Sequence, residues 1–144
     1  MYHRIVVGTD GSERSAAAIE HAASLAQLTD ASLHLVQGCG SPVVTASVYA
    51  APPPGSDPRS IVEANRAELQ PLADSLAERG LDVSLHVVPT GGHDAICDVA
   101  EAIDADLIVV GSRGMTGARR LLGSIPNSVA HHACCSVLIV QTDD

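Results

Sequence analysis

Five short apolar segments recur along this chain, and a segment with helical periodicity separates each one from the next. The apolar segments are rich in Val, Ile and Leu and are bounded by turn residues, which is typical of buried β-strands. The intervening segments place apolar residues three and four positions apart, the spacing of an amphipathic helix. The predicted strands are 4–9, 32–37, 81–88, 106–110 and 136–140, and the predicted helices are 13–28, 59–79, 94–103 and 124–133.

This βαβαβαβαβ order predicts a three-layer α/β fold. Strands that are apolar throughout and are joined by helices form a mostly parallel sheet with helices on both faces. Right-handed crossovers then give a doubly wound, five-stranded sheet, whose ligands bind at the carboxyl ends of the strands where the strand order reverses. No repeat or linker interrupts the pattern, so residues 1–144 are predicted to form one domain.

The composition fits this fold and excludes several functions. Hydrophobic residues make up 46% of the chain, but it has no Phe, no Trp and two tyrosines, so Ala, Val, Leu and Ile must build the core. The absence of lysine rules out a Walker-type P-loop and lysine Schiff-base chemistry. A net charge of −9 and the shortage of aromatic side chains argue against nucleic-acid binding. The sequence shows neither an apolar run of ~18 residues nor a signal sequence, so no membrane partner is expected.

The four cysteines lack the CxxC spacing of a metal or redox motif, which predicts a reduced, cytoplasmic protein. His131 and Cys135 are four residues apart and would share one helix face, as two metal ligands do. A closed zinc site needs about four ligands, however, and the sequence shows no second cluster. We therefore expect no metal site, and cysteines that pack as small hydrophobic residues.

Two glycine-rich loops follow the first and fourth predicted strands, at 8–12 and 111–124. Glycines let a phosphate approach the backbone closely, and Gly123 and Ser124 precede a helix whose free N–H groups favour an anion. Three of the eight basic residues lie in the second loop: Arg113, Arg119 and Arg120. The pattern favours a bound polyanion. The alternative, which the spacing leaves open, is that the glycines only form turns and the arginines are solvated.

Residues 38–58 show no regular pattern and contain five prolines beside several glycines and serines. Such a segment is long for a loop in a compact domain, so it is either functional or a disordered surface loop. We expect 40–58 to be the most mobile part of the chain and the first site of limited proteolysis.

Taken together, IVVGTDGS at 5–12, DLIVVGSRG at 106–114, LGS at 122–124 and the closing segment 131–140 resemble the universal stress protein family. The resemblance covers essentially the whole chain and implies the strand order 3-2-1-4-5. Nucleotide-binding members of the family hold ATP with a GxxG loop, a nine-residue spacer and then G[ST]. Here the spacer between Gly114 and Gly123 has eight residues, and Cys134 stands where relatives often have proline.

The resemblance also implies the contacts of the nucleotide. Asp10 would accept a hydrogen bond from a ribose hydroxyl beside Thr9, and the backbone near Gly38 would meet the edge of the adenine. Ribose and phosphates would be held by the glycine loop, by Ser124 and by the backbone of Ile125. The complete implied set is Gly8, Thr9, Asp10, Ser12, Gly38, Val110, Gly111, Arg113, Gly114, Gly123, Ser124 and Ile125. It contains no assigned catalytic residue and no metal ligand.

The sequence therefore predicts a cytoplasmic stress-response protein that binds ATP, with or without Mg²⁺, as a nucleotide-responsive module. Enzyme status stays open and the sequence favours no enzyme, because Asp10 is the one acid in the two loops and phosphoryl transfer needs several metal-holding groups. At most, slow ATP hydrolysis or self-phosphorylation is implied. An acyl-transfer hydrolase would need a GxSxG motif, which is missing. The other alternative is a nucleotide-free or cyclic-AMP-binding interaction protein of the same fold.

The last predicted strand indicates self-association. Residues 137–140 are apolar on both faces, yet the implied order places them at the sheet edge, with no lysine or proline to discourage pairing. Pairing with a second copy across a two-fold axis would satisfy the free backbone groups. We expect a homodimer through this strand.

Overall fold

Five parallel strands and four helices alternate in the structure, a computed structural model that describes residues 1–40, 57–112 and 124–142. The strands form one sheet in the order β3-β2-β1-β4-β5, so the predicted fold class and strand order are confirmed. The elements are β1 (Arg4–Gly8), α1 (Glu13–Thr29), β2 (Ser32–Gly38), α2 (Pro58–Glu78), β3 (Val83–Val88), α3 (Gly92–Ala102), β4 (Leu107–Gly111), α4 (Ser124–His132) and β5 (Ser136–Val140). Most of the proline-rich segment, 41–56, lies outside the described residues, and so do 113–123 and 143–144.

The inner strands bury side chains on both faces, which explains their unbroken apolar runs. In β1, Ile5 and Val7 pack with residues of α1 and α2, whereas Val6 packs with residues of α3 and α4. This alternation specifies the register, because a slip of one residue would exchange the two faces. Small side chains bring α1 close to the sheet, so the core needs no large aromatic residue; the buried ones are Ala18, Ala22, Ala23 and Ala26.

Helix α3 begins two residues earlier than the sequence predicted, at Gly92 instead of Asp94. Gly91 occupies the N-cap position, and its carbonyl oxygen accepts a hydrogen bond from the N–H of Ala95 at 2.9 Å. Asp94 consequently lies in the first turn, where a carboxylate interacts favourably with the helix dipole. The start of this helix lies close to Gly38, the last residue of β2.

Helix α2 continues from Pro58 to Glu78 and contains Pro71 without interruption. Asp57 caps its first turn, because Oδ1 accepts from the N–H groups of Arg59 at 2.9 Å and of Ser60 at 3.0 Å. Pro58 follows at the position where a missing N–H costs least.

Strand β5 forms one edge of the sheet and pairs with β4 in the described part of the chain. Leu138 is exposed, and Val137 and Ile139 are half-buried against the α3 and α4 side of the core. No helix among residues 1–40, 57–112 and 124–142 is long and apolar enough to cross a membrane.

All four cysteines are free. Cys97 and Cys135 pack against the α3 and α4 side of the core, as expected for small hydrophobic residues. Cys134 is exposed and departs from that expectation. In the described ranges, no group of three or more His, Cys, Asp or Glu side chains is arranged to hold a metal ion.

Candidate functional site

A partly open cavity of about 170 Å³ lies at the carboxyl ends of β1, β2 and β4. The strand order reverses between β1 and β4, and ligands of open α/β sheets bind at such a point. The described lining comes from the strand ends, the β1–α1 loop and the first turns of α1, α3 and α4. These residues are Gly8, Thr9, Asp10, Arg14, Ser15, Val36, Gly38, Gly92, Ile96, Val110, Gly111, Ile125 and Pro126.

Gly38 lets β2 pass closely beside the start of α3. A Cβ atom at this position would lie 2.7 Å from the carbonyl oxygen of Thr90 and 2.9 Å from the carbonyl carbon and oxygen of Gly91. Backbone hydrogen bonds hold the two segments together, from Cys39 N–H to Val88 O and from Gly40 N–H to Thr90 O, each at 2.8 Å. The cavity therefore has a rigid backbone rim at the end of β2.

Gly8 lets α3 pack close to β1, and Gly92 lets α3 and α4 pack close to each other. A Cβ at Gly8 would lie 2.5 Å from Cδ1 of Ile96, and one at Gly92 would lie 2.8 Å from Cδ1 of Ile125. Both isoleucines line the cavity. Glycine at these two positions therefore makes room for the two isoleucine side chains that border the cavity.

One wall of the cavity is apolar. It comes from β2, β4, α3 and the first turn of α4, and its members are Val36, Ile96, Val110, Ile125 and Pro126. A concave apolar surface with a few polar groups at one side is typical of a small-molecule site. Such a wall suits the flat face of a heterocyclic base.

Asp10, in the loop after β1, adds a carboxyl group to the lining. Its Oδ1 accepts a hydrogen bond from the N–H of Ser12 at 2.9 Å and another from the Ser12 hydroxyl. Ser12 occupies the N-cap position of α1, and its hydroxyl donates to Asp10 instead of accepting a hydrogen bond from the helix backbone. Ser12 therefore orients the carboxylate.

Thr9 is buried, with 8% of its surface exposed, and its hydroxyl belongs to the β1–α1 loop. Thr9 Oγ1 accepts from the N–H of Gly11 at 3.1 Å and lies 3.0 Å from Oγ of Ser15. Ser15 in turn donates to the carbonyl oxygen of Ser12 at 2.8 Å. These bonds attach the first turn of α1 to the end of β1. The hydroxyl of Thr9 therefore stabilises the β1–α1 loop, and Thr9 also lines the cavity.

Asp10 and Arg14 are the charged side chains among the described lining residues. Arg14 lies in the first turn of α1, and its carbonyl oxygen is 3.9 Å from where a Cβ of Gly111 would be. Arg14 was not among the residues predicted from the sequence. Beside this site, burial raises the pKa of the Cys39 thiol, which therefore stays protonated at neutral pH.

The structure brings together most of the predicted binding residues that it describes. Those lining the cavity are Gly8, Thr9, Asp10, Gly38, Val110, Gly111 and Ile125. Ser12 and Ser124 do not line it, and Arg113, Gly114 and Gly123 lie outside the described residues. The lining residues that the sequence analysis missed are Arg14, Ser15, Val36, Gly92, Ile96 and Pro126. Of these, Gly92 left a sequence signal, a glycine pair just before a predicted helix.

The chain is similar to known proteins over nearly its full length. A family model described as the universal stress protein family matches residues 1–141. The chain belongs to the universal stress protein family. It is 34% identical to universal stress protein Rv1636 of Mycobacterium tuberculosis, over 98% of this chain and 97% of the relative.

Two solved members of the family carry adenine nucleotides. One is a universal stress protein in complex with cAMP, which is 29% identical and has a TM-score of 0.75, with 99% of each chain covered. The other, from Archaeoglobus fulgidus, is in complex with dAMP; it is 25% identical with a TM-score of 0.65, over 96% of this chain and 98% of that one.

Proposed function

We propose that this universal stress protein binds an adenine nucleotide, in the first place ATP, in the cavity at the carboxyl ends of β1, β2 and β4. One observation carries the proposal: the cavity joins an apolar wall to an oriented carboxylate at the point where the strand order reverses. The cAMP and dAMP complexes of related proteins support the same ligand class.

The adenine lies against the apolar wall. Val36 and Val110 come from the sheet, and Ile96 and Ile125 from the helices, so the base is covered from two sides. The rigid rim at Gly38 offers backbone groups to the adenine edge, where hydrogen bonds distinguish one base from another.

The ribose lies beside Asp10. A carboxylate accepts hydrogen bonds from vicinal hydroxyl groups, and the two bonds from Ser12 hold it ready for that contact. An oriented carboxylate loses less entropy on binding than a mobile one.

The phosphates extend from Gly111 towards the start of α4. The first turn of a helix offers free N–H groups and the positive end of its dipole, and α4 begins at Ser124. For residues 113–123 the proposal rests on the sequence, whose glycines and arginines suit a phosphate chain. Among the described lining residues Asp10 is the carboxylate, so Mg²⁺ would be bound mainly by phosphate oxygens and water.

The cavity favours binding over rapid phosphoryl transfer. That reaction uses several metal-holding groups and a residue that positions the nucleophile, and the described lining offers one carboxylate. We therefore propose a nucleotide-responsive stress module. Four free cysteines fit a reducing compartment such as the cytoplasm.

Cyclic AMP is the second candidate ligand. The complex of a 29% identical relative with cAMP favours it, because the similarity covers 99% of this chain. Cyclic AMP would use the same adenine wall but would offer Asp10 the 2′-hydroxyl alone, since its 3′-oxygen is esterified.

We propose further that the protein forms a homodimer through β5. The outer edge of this strand has free backbone N–H and C=O groups in the described structure, and Leu138 is exposed beside it. Pairing with a second β5 across a two-fold axis satisfies these backbone groups and covers Leu138.

Calorimetric titration tests the nucleotide proposal. Wild-type protein should bind ATP or cAMP, and Asp10→Ala should weaken binding by about 1–3 kcal/mol, the contribution of a charged hydrogen bond. Asp98→Ala is the matched control, because Asp98 is an exposed acid of α3 outside the cavity. Equal affinities of the two variants would place the nucleotide elsewhere, and no heat with millimolar nucleotide would reject the proposal.

A further inference from the structure

Arg14 has no role in the binding scheme so far, although it lines the cavity. We infer that Arg14 binds the phosphate directly attached to the ribose, so that the site selects adenosine phosphates, including monophosphates, over adenosine. The inference rests on the proposed nucleotide binding and names the part of the ligand that one residue recognises.

The position of Arg14 is the first reason. Asp10, the proposed ribose contact, lies in the loop that leads into α1, and Gly111, where the proposed phosphate path begins, lies beside the backbone carbonyl of Arg14. Arg14 thus lies between the sugar contact and the phosphate path. A phosphate attached to the ribose must occupy this part of the cavity.

The second reason is that the helix carrying Arg14 is fixed. The hydroxyl of Ser15 donates to Ser12 O at 2.8 Å and lies 3.0 Å from Oγ1 of Thr9. These contacts join the first turn of α1 to the buried end of β1. The long arginine side chain therefore extends from a helix turn that these contacts hold against the end of β1.

Charge is the third reason. The protein carries a net charge of −9, and Asp10 adds a carboxylate inside the cavity, so a phosphate approaching this site meets unfavourable charge. A guanidinium group offsets it and matches two phosphate oxygens with parallel N–H donors. The positive end of the α1 dipole acts in the same direction.

The test compares four ligands on wild type and Arg14→Gln: adenosine, AMP, cAMP and ATP. Titrations followed by NMR shifts of the cavity glycine amides also measure weak adenosine binding. Arg14→Gln should lose about tenfold in affinity for each of the three phosphates and stay within about twofold for adenosine. Its affinity for AMP should also depend less on salt concentration. Arg14→Lys keeps the charge and should recover part of the loss.

Arg79→Gln is the matched control, because it removes the same charge at the C-terminal end of α2, outside the cavity. It should leave all four affinities unchanged. Unchanged AMP affinity in Arg14→Gln, or an equal loss for adenosine and AMP, would overturn the inference while nucleotide binding stands. If wild type binds none of the four ligands, the proposed function itself fails.

Discussion

Substitution of Gly38 by alanine tests the closest backbone contact of the site. The new methyl group would lie 2.7 Å from the carbonyl oxygen of Thr90, roughly 0.6 Å short of the ~3.3 Å at which carbon and oxygen usually meet. The facing backbone cannot withdraw freely, because the 2.8 Å hydrogen bonds of Cys39 and Gly40 hold it. Overpacking of this kind costs about 1–3 kcal/mol. Affinity for the nucleotide should fall as well, since the rim at Gly38 must move.

The assay is urea unfolding followed by circular dichroism, with Gly91→Ala as the control. Gly91 lies on the other side of the same contact, but a Cβ there has its nearest neighbour, Oδ2 of Asp94, at 4.0 Å, and φ is −61°. Alanine at position 91 stabilises the folded protein because it restricts the unfolded chain, and destabilises it because alanine is a poorer N-cap residue than glycine. These two effects of about 0.5–1 kcal/mol nearly cancel. If Gly38→Ala is as stable as Gly91→Ala, the close contact is not as described.

Three further outcomes follow from other parts of the molecule. Burial lowers the pKa of His34 and His86, and for His34 the neighbouring His86 adds to the effect. Below about pH 6.5 these histidines take up protons in the unfolded chain more readily than in the folded protein. The free energy of unfolding should therefore fall between pH 7 and pH 5, and it should fall less in a variant with both histidines replaced by glutamine. Burial raises the pKa of the Cys135 thiol to about 11. A thiol reagent at pH 7.5 should therefore modify the exposed Cys134 at least tenfold faster than Cys135, and equal rates would contradict the described burial. Ile139→Pro should remove a backbone donor from β5 and give a monomer by light scattering, and a monomeric wild type at micromolar concentration would reject the dimer.

The fold could be predicted because each strand carries its own signal. Ile5, Val6 and Val7 are all fully buried, on alternating faces, and such an unbroken apolar run is characteristic of a strand covered on both sides. Helix ends were less predictable, as α3 shows, because a glycine N-cap leaves a weaker sequence signal than an acidic residue in the first turn.

Site residues were predictable where the backbone requires a particular residue type. They were not predictable where the packing of a helix determines which side chain reaches the cavity. Gly38 and Asp10 stand at strand ends in a recognisable pattern. Ile96 enters the cavity because α3 packs across the ends of β1 and β2, which no local pattern specifies. The stacked pair His34 and His86, whose ring nitrogens are 3.0 Å apart, likewise arises from pairing between strands distant in sequence.

Titration of ¹⁵N-labelled protein with ATP, followed by amide chemical shifts, locates the nucleotide. Gly8, Gly38, Gly92 and Gly111 all line the cavity, and their amide signals should move together along one binding curve. Gly80 lies between α2 and the start of β3, towards the amino ends of the strands, and should not move. Shifts confined to the four cavity glycines and their neighbours are the predicted result. Cavity signals that stay in place with millimolar ATP and millimolar cAMP, or shifts centred on Gly80, would contradict a nucleotide site at the carboxyl ends of β1, β2 and β4.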